Sequence, residues 1–284
     1  MKVGIIGLGR MGLAIAKRLL AQGFDVSVYN RTAARANDVV ALGAAFAANP
    51  AQLALQGSVV VSSLTDEAAV REVCLGSAGL LCALVGGTHI STSTLSPDAA
   101  QRLAAMHQQA GVRFICAPLQ GRPVMAENGQ LIAWVSGQGS KDEDVQDVLN
   151  AFARKTIHLG EDPSQAAAAK LALNMLMFAN VELFAEAIAY VSAAGVDQQL
   201  FSEGLTETAF AAPLFRSIVA TLSQGDDVAK GSDLNLSRKD LALLVSNTMG
   251  HYLPMAVKLE QVYSEAADRG WGALDPTAVR RLFQ

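Results

Sequence analysis

Cysteine and charge are both scarce in this chain of 284 residues. Its three cysteines, Cys74, Cys82 and Cys116, are an odd number without metal-ligand spacing, so they predict buried thiols in a reducing compartment. Charged residues make up only 17% of the chain and hydrophobic residues 51%, which excludes intrinsic disorder and predicts a packed globular protein. A net charge of −4, with no basic run, argues against binding to nucleic acid or to anionic lipid.

Three functional patterns are also missing from the sequence. The four histidines are isolated, without H-x-x-x-H or carboxylate spacing, so no metal site is predicted. The sequence has no G-x-S-x-G elbow, which leaves Ser/His/Asp hydrolysis without support. No apolar stretch of about 18 residues runs uninterrupted, and the first apolar run is too short for a signal peptide. We therefore expect a cytoplasmic protein that does not cross a membrane.

Short apolar runs alternate with helical patterns over residues 1–160. The runs predict strands at 2–6, 25–30, 58–64, 88–92, 113–117, 130–137 and 156–160, with Thr32 and Ser96 as N-caps of two of the helices between them. Later residues show only helical patterns, divided by Gly195, Pro213, residues 223–227, Pro254 and residues 270–276. The pattern predicts an α/β Rossmann-type, doubly wound parallel sheet in residues 1–160. A smaller all-α domain should follow in residues 161–284, opening with a long interdomain helix.

The segment "GLGRMG" at 7–12 follows a predicted strand and opens a predicted helix. In that context G-x-G-x-x-G indicates a dinucleotide site, because the first glycine permits a tight turn, the second admits a pyrophosphate and the third lets helix and strand pack closely. The residues expected to bind the cofactor here are Gly7, Leu8, Gly9, Arg10, Met11 and Gly12.

The next strand ends in Asn30, Arg31 and Thr32, where a site for NAD would usually place an acid against the ribose. Arg31 can hold a 2′-phosphate by charge-assisted hydrogen bonds, and Asn30 and Thr32 add neutral donors. This favours NADP(H) as cofactor, with NADPH preferred over NADH. The alternative is an exposed arginine that caps a turn.

Ordered motifs along the whole chain resemble the β-hydroxyacid dehydrogenases, a family that includes 3-hydroxyisobutyrate dehydrogenase and the glyoxylate/succinic semialdehyde reductases. They are "GLGRMG" (7–12), "NRT" (30–32), "LTDEAAV" (64–70), "STSTLSP" (91–97), "APLQGRPVMAENGQL" (117–131), "KLALN" (170–174) and "RKDLAL" (238–243). The resemblance implies a 6-phosphogluconate dehydrogenase-like architecture with the active site in a cleft. It also implies reduction of a small aldehydo or keto acid, or oxidation of the matching β-hydroxyacid, by a homodimer or homotetramer.

The resemblance assigns roles to particular residues. It makes Lys170 the general acid/base, with Asn174 beside it on the substrate, and Lys239 a cofactor-side lysine. Leu64 and Thr65 are expected at the cofactor, and Thr94 at both the cofactor and the substrate.

The chemistry of residues 170 and 174 agrees with these roles, because positions i and i+4 share one face of a helix. An ammonium can protonate the alkoxide that forms when a carbonyl receives hydride. The alternative for Lys170 is a side chain that extends to solvent from a core helix.

One loop departs from the family pattern, which is D-A-P-V-S-G-G. The chain has "CAPLQGRP" at 116–123, in which Gln120 replaces serine, Gly121 is retained and Arg122 replaces a small residue. Gln120 should shrink the pocket or move the group that anchors the substrate, although its amide can still donate to a carboxylate. Arg122 is either a clamp for a larger or diacid substrate or a surface residue paired with Glu127.

The sequence leaves two other functions open. One is an imine reductase-like enzyme of the same fold, and the other is a non-catalytic NADP-binding scaffold. The retained Lys170 favours carbonyl reduction over both.

Overall fold

The structure is a computed structural model that describes residues 1–56, 59–223, 228–229 and 231–283. The chain divides into two compact units, Met1–Lys170 and Leu171–Gln284. Ser58, the first residue of the third predicted strand, and residues 224–227 of the predicted break lie outside the described residues.

The described strands all belong to one sheet in the first unit. They are β1 Lys2–Ile6, β2 Asp25–Tyr29, β3 Ala45–Phe46, β4 Val59–Ser62, β5 Thr88–Ser91, β6 Arg113–Cys116, β7 Leu119–Gln120, β8 Leu131–Ser136 and β9 Ala153–Gly160. Their order is β3-β2-β1-β4-β5-β6-β8-β7, with β9 paired to β8. This arrangement confirms the Rossmann-type fold.

Two strand pairs depart from the predicted parallel arrangement. The strands from β3 to β6 are parallel, but β8 is antiparallel to both β6 and β7. The connection from β7 to β8 contains only a five-residue helix, Pro123–Glu127. It is too short for the crossover that parallel neighbours require, so the chain turns back as a hairpin.

Helices cover both faces of this sheet. They are α1 Arg10–Ala21, α2 Asn37–Ala41, α3 Pro50–Gln56, α4 Glu67–Cys74, α5 Pro97–Gln109, α6 Pro123–Glu127 and α7 Glu143–Phe152. Because successive strand residues point to opposite faces, Val59 and Val61 join a core with α1 and α7, while Val60 joins the core that contains α5. The near-continuous apolar strands follow from burial on both faces.

The two predicted helix caps have different outcomes. Ser96 caps α5, since its hydroxyl accepts from the Ala99 amide at 3.2 Å and Pro97 occupies the first turn, as predicted. The prediction for Thr32 is only partly right. Thr32 precedes a 3-10 turn, Ala33–Ala36, and its side chain makes no capping bond there within the described part of the chain. The α-helix begins later, at Asn37.

The second unit is helical. Its helices are α8 Ser164–Ala193, which begins in the first unit, α9 Gln198–Leu205, α10 Pro213–Ser223, α11 Leu234–Val245 and α12 Pro254–Ala266. Phe178 and Phe184 of α8 pack with Leu241 of α11 and with Leu259 and Tyr263 of α12 to form the core of this unit. This confirms the expected helical C-terminal half.

Helix α8 is long and apolar enough, by length and composition, to cross a membrane. Core helices of soluble proteins pass the same test, and 39% of its most apolar window is buried. The polar residues Lys170, Asn174 and Glu182 interrupt the apolar sequence of this continuous helix. Its buried phenylalanines form part of the core of the second unit.

Candidate active site

The glycine loop between β1 and α1 has the geometry of a phosphate cradle. Gly7 has a φ of +88°, and a Cβ on Gly12 would lie 1.9 Å from the Gly7 carbonyl oxygen, so both positions require glycine. A Cβ on Gly9 would meet no described atom within 4 Å. Packing within the protein therefore does not explain Gly9, whereas the close approach of a cofactor does.

The first turn of α1 suits an anion. Gly9 is the N-cap, and among the described residues no side chain caps this end and no acid lies in the first turn. The amide groups at a helix N-terminus and the positive end of its dipole favour phosphate groups. Arg10 and Met11 begin this helix, with Arg10 exposed. The residues present therefore fit the pyrophosphate of a dinucleotide.

Asn30 supports the glycine loop, a role that the sequence did not indicate. Its Oδ1 accepts from the Leu8 amide at 2.9 Å, and its Nδ2 donates to the Thr32 carbonyl at 2.9 Å. Arg31 is exposed at the end of β2 and lies 3.6 Å from the Glu72 carboxylate. The end of β2 thus presents a cation beside the loop without placing an acid at residues 30–32.

The segments after β4 and β5 meet at the same edge of the sheet. The Leu64 amide donates to the buried Ser93 hydroxyl at 3.1 Å, which joins the "LTD" segment to the S-T motif that contains Thr94. Thr65 donates to Asp66, and Asp66 caps α4 by accepting from the Ala69 amide at 2.8 Å. These loops follow the carboxyl ends of parallel strands, where ligands of open α/β sheets bind.

Lys170 is held by the β7 segment. Its Nζ donates to the Leu119 carbonyl at 2.7 Å and to Oε1 of Gln120 at 3.4 Å. The lysine is half-buried and directed at the loop that departs from the family pattern, so the alternative of a side chain that simply extends to solvent does not describe it.

The next two residues of that loop, Gly121 and Arg122, have different environments. Gly121 has a φ of +133°, and a Cβ there would lie 2.6 Å from Leu131, so its retention has a structural reason. Arg122 is exposed at the residue before α6. Its two alternatives, a substrate clamp and a pair with Glu127, stay predictions.

Within the second unit, Asp240 joins two of the predicted site residues. Nδ2 of the buried Asn174 donates to Asp240 Oδ2 at 2.7 Å, and Lys239 Nζ lies 3.0 Å from Asp240 Oδ1. Asp240 is itself 5% exposed. The sequence contained a signal for this acid in the K-D pair, but nothing in the spacing linked it to Asn174.

Family models of NAD-binding proteins match both halves of the chain. The family model for the NAD binding domain of 6-phosphogluconate dehydrogenase matches residues 2–160. A second model, NAD-binding of NADP-dependent 3-hydroxyisobutyrate dehydrogenase, matches residues 164–283. The chain belongs to the β-hydroxyacid dehydrogenase family. It is therefore an NAD(P)-dependent dehydrogenase or reductase that acts on hydroxyl or carbonyl groups.

Similar members of the family match this dehydrogenase over nearly its full length. The uncharacterized oxidoreductase YfjR of Bacillus subtilis is 31% identical, with 100% of both chains covered. Glyoxylate/succinic semialdehyde reductase 1 of Arabidopsis thaliana is 28% identical, with 98% of this chain and 97% of that protein covered. A 3-hydroxyisobutyrate dehydrogenase structure from Salmonella typhimurium has a TM-score of 0.88 at 25% identity and covers 99% of each chain.

Two further matches bear on the alternative functions. An imine reductase structure from Streptomyces aurantiacus is 26% identical and covers 100% of each chain, with a TM-score of 0.68. The cytokine-like nuclear factor N-PAC of Danio rerio is 28% identical over 99% of this chain, which spans 62% of that protein's length.

The dehydrogenase also buries a cysteine–histidine cluster that spacing along the sequence did not reveal. Cys74 Sγ lies 3.8 Å from His89 Nδ1 and 3.7 Å from His107 Nε2, a set of atoms that could ligate a metal ion. His107 Nδ1 lies 2.6 Å from the Leu103 carbonyl, so that nitrogen must donate. His107 Nε2 then accepts from His89 Nδ1 at 2.7 Å, and His89 Nε2 accepts from the Ser62 hydroxyl at 2.8 Å.

This series of hydrogen bonds satisfies the imidazole rings of His89 and His107 in their neutral forms. Burial lowers the pKa of His107 to about 4, and burial followed by the charge of His107 lowers that of His89 well below its usual range. Burial raises the pKa of the Cys74 thiol to about 12. His89, which lies on β5 close to the S-T motif in sequence, is therefore a structural residue.

Proposed function

We propose that this protein is an NADPH-dependent reductase of a small aldehydo or keto acid, with Lys170 as the general acid. The observation that carries the proposal is the placement of the Lys170 ammonium against Leu119 and Gln120, at the loop where the family holds its substrate. The named reductase and dehydrogenase relatives support the reaction type.

The proposed reaction needs one hydride and one proton. When bound, NADPH supplies the hydride that reduces the carbonyl carbon and becomes NADP⁺. Lys170 stabilises the negative charge that develops on the oxygen and gives it a proton, and solvent then reprotonates the amine. In the reverse direction the same amine accepts the proton of a β-hydroxyacid.

Residues of the first unit would hold the cofactor. The Gly7–Gly12 loop and the start of α1 would take the pyrophosphate, as the geometry at Gly9 supports. Arg31 would pair with the 2′-phosphate, because its guanidinium is exposed and readily redirected from Glu72. Leu64, Thr65 and Thr94 would line the nicotinamide side.

We also infer roles for two residues of the second unit. Asn174 lies one helical turn beyond Lys170 on α8 and would orient the substrate. Its Oδ1 is buried without a hydrogen-bond partner among the described residues, so it can accept from a substrate hydroxyl. Lys239 would act on the cofactor side, held by Asp240.

A screen of NADPH consumption over aldehydo acids, keto acids and imines tests the proposal. We expect turnover with a small oxo acid and a loss of at least about a hundredfold in kcat for Lys170→Met, which keeps the length of the side chain without the proton. NADPH binding, followed by fluorescence, should persist in the variant. Turnover by Lys170→Met equal to wild type would remove the mechanism. Turnover with imines alone would favour the imine reductase alternative, and no turnover with NADPH bound would favour a scaffold.

We also propose that two copies pair through α8. Leu176, Leu183 and Tyr190 are 57%, 56% and 80% exposed and recur every seventh residue, which makes one apolar stripe along the helix. A stripe on one helix is self-complementary about a two-fold axis, so a second copy of this chain fits it. Light scattering should give a dimer or tetramer for wild type and a smaller species for Leu183→Glu. An unchanged mass would exclude this face.

A further inference from the structure

Gln120 has an unusual position for a residue of a substrate loop, because it contacts the proposed general acid directly. Its Oε1 accepts from Lys170 Nζ at 3.4 Å, next to the 2.7 Å bond from Nζ to the Leu119 carbonyl. The family pattern has serine at this position, and a serine side chain is two atoms shorter. The contact is therefore a property of this chain.

Both sides of the contact are attached to the same strand. Gln120 pairs with Ile132 of β8 and Leu119 pairs with Ala133, which fixes the backbone of the acceptors. The start of α8 is joined to β8 through the Ala166 amide, which donates to Ser136 Oγ at 3.0 Å. Lys170 follows one turn later on that helix. The backbone segments that carry Lys170 and Gln120 are thus both attached to the sheet, which favours the contact between their side chains.

The orientation of the carboxamide decides what it offers a substrate. Because Oε1 faces the ammonium, Nε2 lies on the other branch as a donor that does not compete for the lysine proton. The two heteroatoms of an amide are about 2.2 Å apart, so Nε2 lies no more than about 5.6 Å from Nζ. A proton donor and a carboxylate anchor are thereby close together, in space that a serine would leave open.

We propose, on the basis of the proposed function, that Gln120 is a positioning residue for Lys170 and a carboxylate anchor that selects 2-oxo acids over longer oxo acids. In a 2-oxo acid the carbonyl and carboxylate are adjacent, which matches a donor pair held side by side. A longer acid in an extended conformation places its carboxylate farther from the protonated oxygen, which does not match a donor held this close to Nζ.

Two substitutions separate the two parts of this role. Gln120→Met keeps the volume but removes both ends of the amide, and we expect kcat with glyoxylate to fall about tenfold, as for the loss of a hydrogen bond to a charged group. Gln120→Ser restores the residue of the family pattern, and the ratio of kcat/KM for glyoxylate to that for succinic semialdehyde should fall at least about tenfold. Gln130→Met, an exposed change on the same hairpin, is the matched control and should leave both values unchanged.

The outcomes distinguish this inference from the proposed function. If Lys170→Met is inactive while both Gln120 variants keep the wild-type kcat and substrate ratio, Gln120 has no such role and the function stands. If wild type reduces no aldehydo or keto acid of the screen, the proposed function itself fails. NADPH binding by each variant, followed by fluorescence, shows that the variant is folded, so a change in the substrate ratio is not a loss of structure.

Discussion

Protonation of the buried histidine pair should destabilise the first unit in mild acid. His107 has no exposed surface, and its two nitrogens are both used in the chain that runs from Ser62 through His89 to the Leu103 carbonyl. A second proton on His107 would put two donors face to face with His89 and would charge a ring that is packed against Cys74 and Phe114. The folded state therefore resists protonation, while the unfolded chain does not.

The pKa of His107 sets the size and the sign of the effect. It is lowered by burial from 6.5 to about 4, so below pH 6.5 the unfolded state binds more protons than the folded state. Stability is then complete above pH 6.5 and is lost progressively as the pH falls towards 4. With these values His107 alone removes about 2 kcal/mol from the free energy of unfolding between pH 7 and pH 5.

The assay is urea unfolding of wild type and His107→Gln at pH 7 and pH 5. Glutamine does not titrate, yet its amide can donate to the Leu103 carbonyl and accept from His89. The variant has its own stability at pH 7, so the quantity compared is the change between the two pH values. We expect wild type to lose about 2 kcal/mol more than the variant. Parallel losses would refute the reasoning that His107 is neutral when folded.

Three other predictions follow from single side chains. Gly9→Ala should weaken NADPH binding without lowering the stability of the cofactor-free protein. Gly12→Ala should lower that stability, because its Cβ would lie 1.9 Å from the Gly7 carbonyl oxygen. Thermal unfolding measures the stability of each variant, and fluorescence titration measures its NADPH binding. Arg31→Ala should raise the KM for NADPH at least about tenfold and leave that for NADH nearly unchanged, and equal effects would exclude a 2′-phosphate contact. Burial, and then the charge of Glu186, raises the pKa of Glu182 to about 7, and the charge of Lys258 partly opposes this shift. Glu182→Gln should therefore stabilise the protein by about 3 kcal/mol at pH 8, where the carboxylate is ionised, and by almost nothing near pH 4.5. The same gain at both pH values would show that ionisation of the Glu182 carboxylate does not cause the difference in stability.

Most of the fold could be predicted because its signals are local. β1 has the predicted bounds, Lys2–Ile6, since a continuous apolar run ends at a glycine turn. β3 and β7 were missed because strands of two residues have no periodicity, and they exist only through pairing with β2 and β8. β9 begins at Ala153, earlier than predicted, because the exposed Arg154 and Lys155 interrupt the apolar pattern that marks a buried strand.

The candidate site could be predicted only in its residue types. Lys170 and Asn174 follow from a motif, but their acceptors Leu119 and Asp240 lie 51 and 66 residues away, and local periodicity carries no information about such pairs. The same limit explains Gln120. The sequence identified it as a departure from the family pattern, and only the three-dimensional structure shows that its oxygen faces the lysine. Because the residue that differs also touches the proposed proton donor, the departure changes the environment of catalysis as well as the size of the pocket. The substrate should therefore be sought by varying Gln120 and the acid length together.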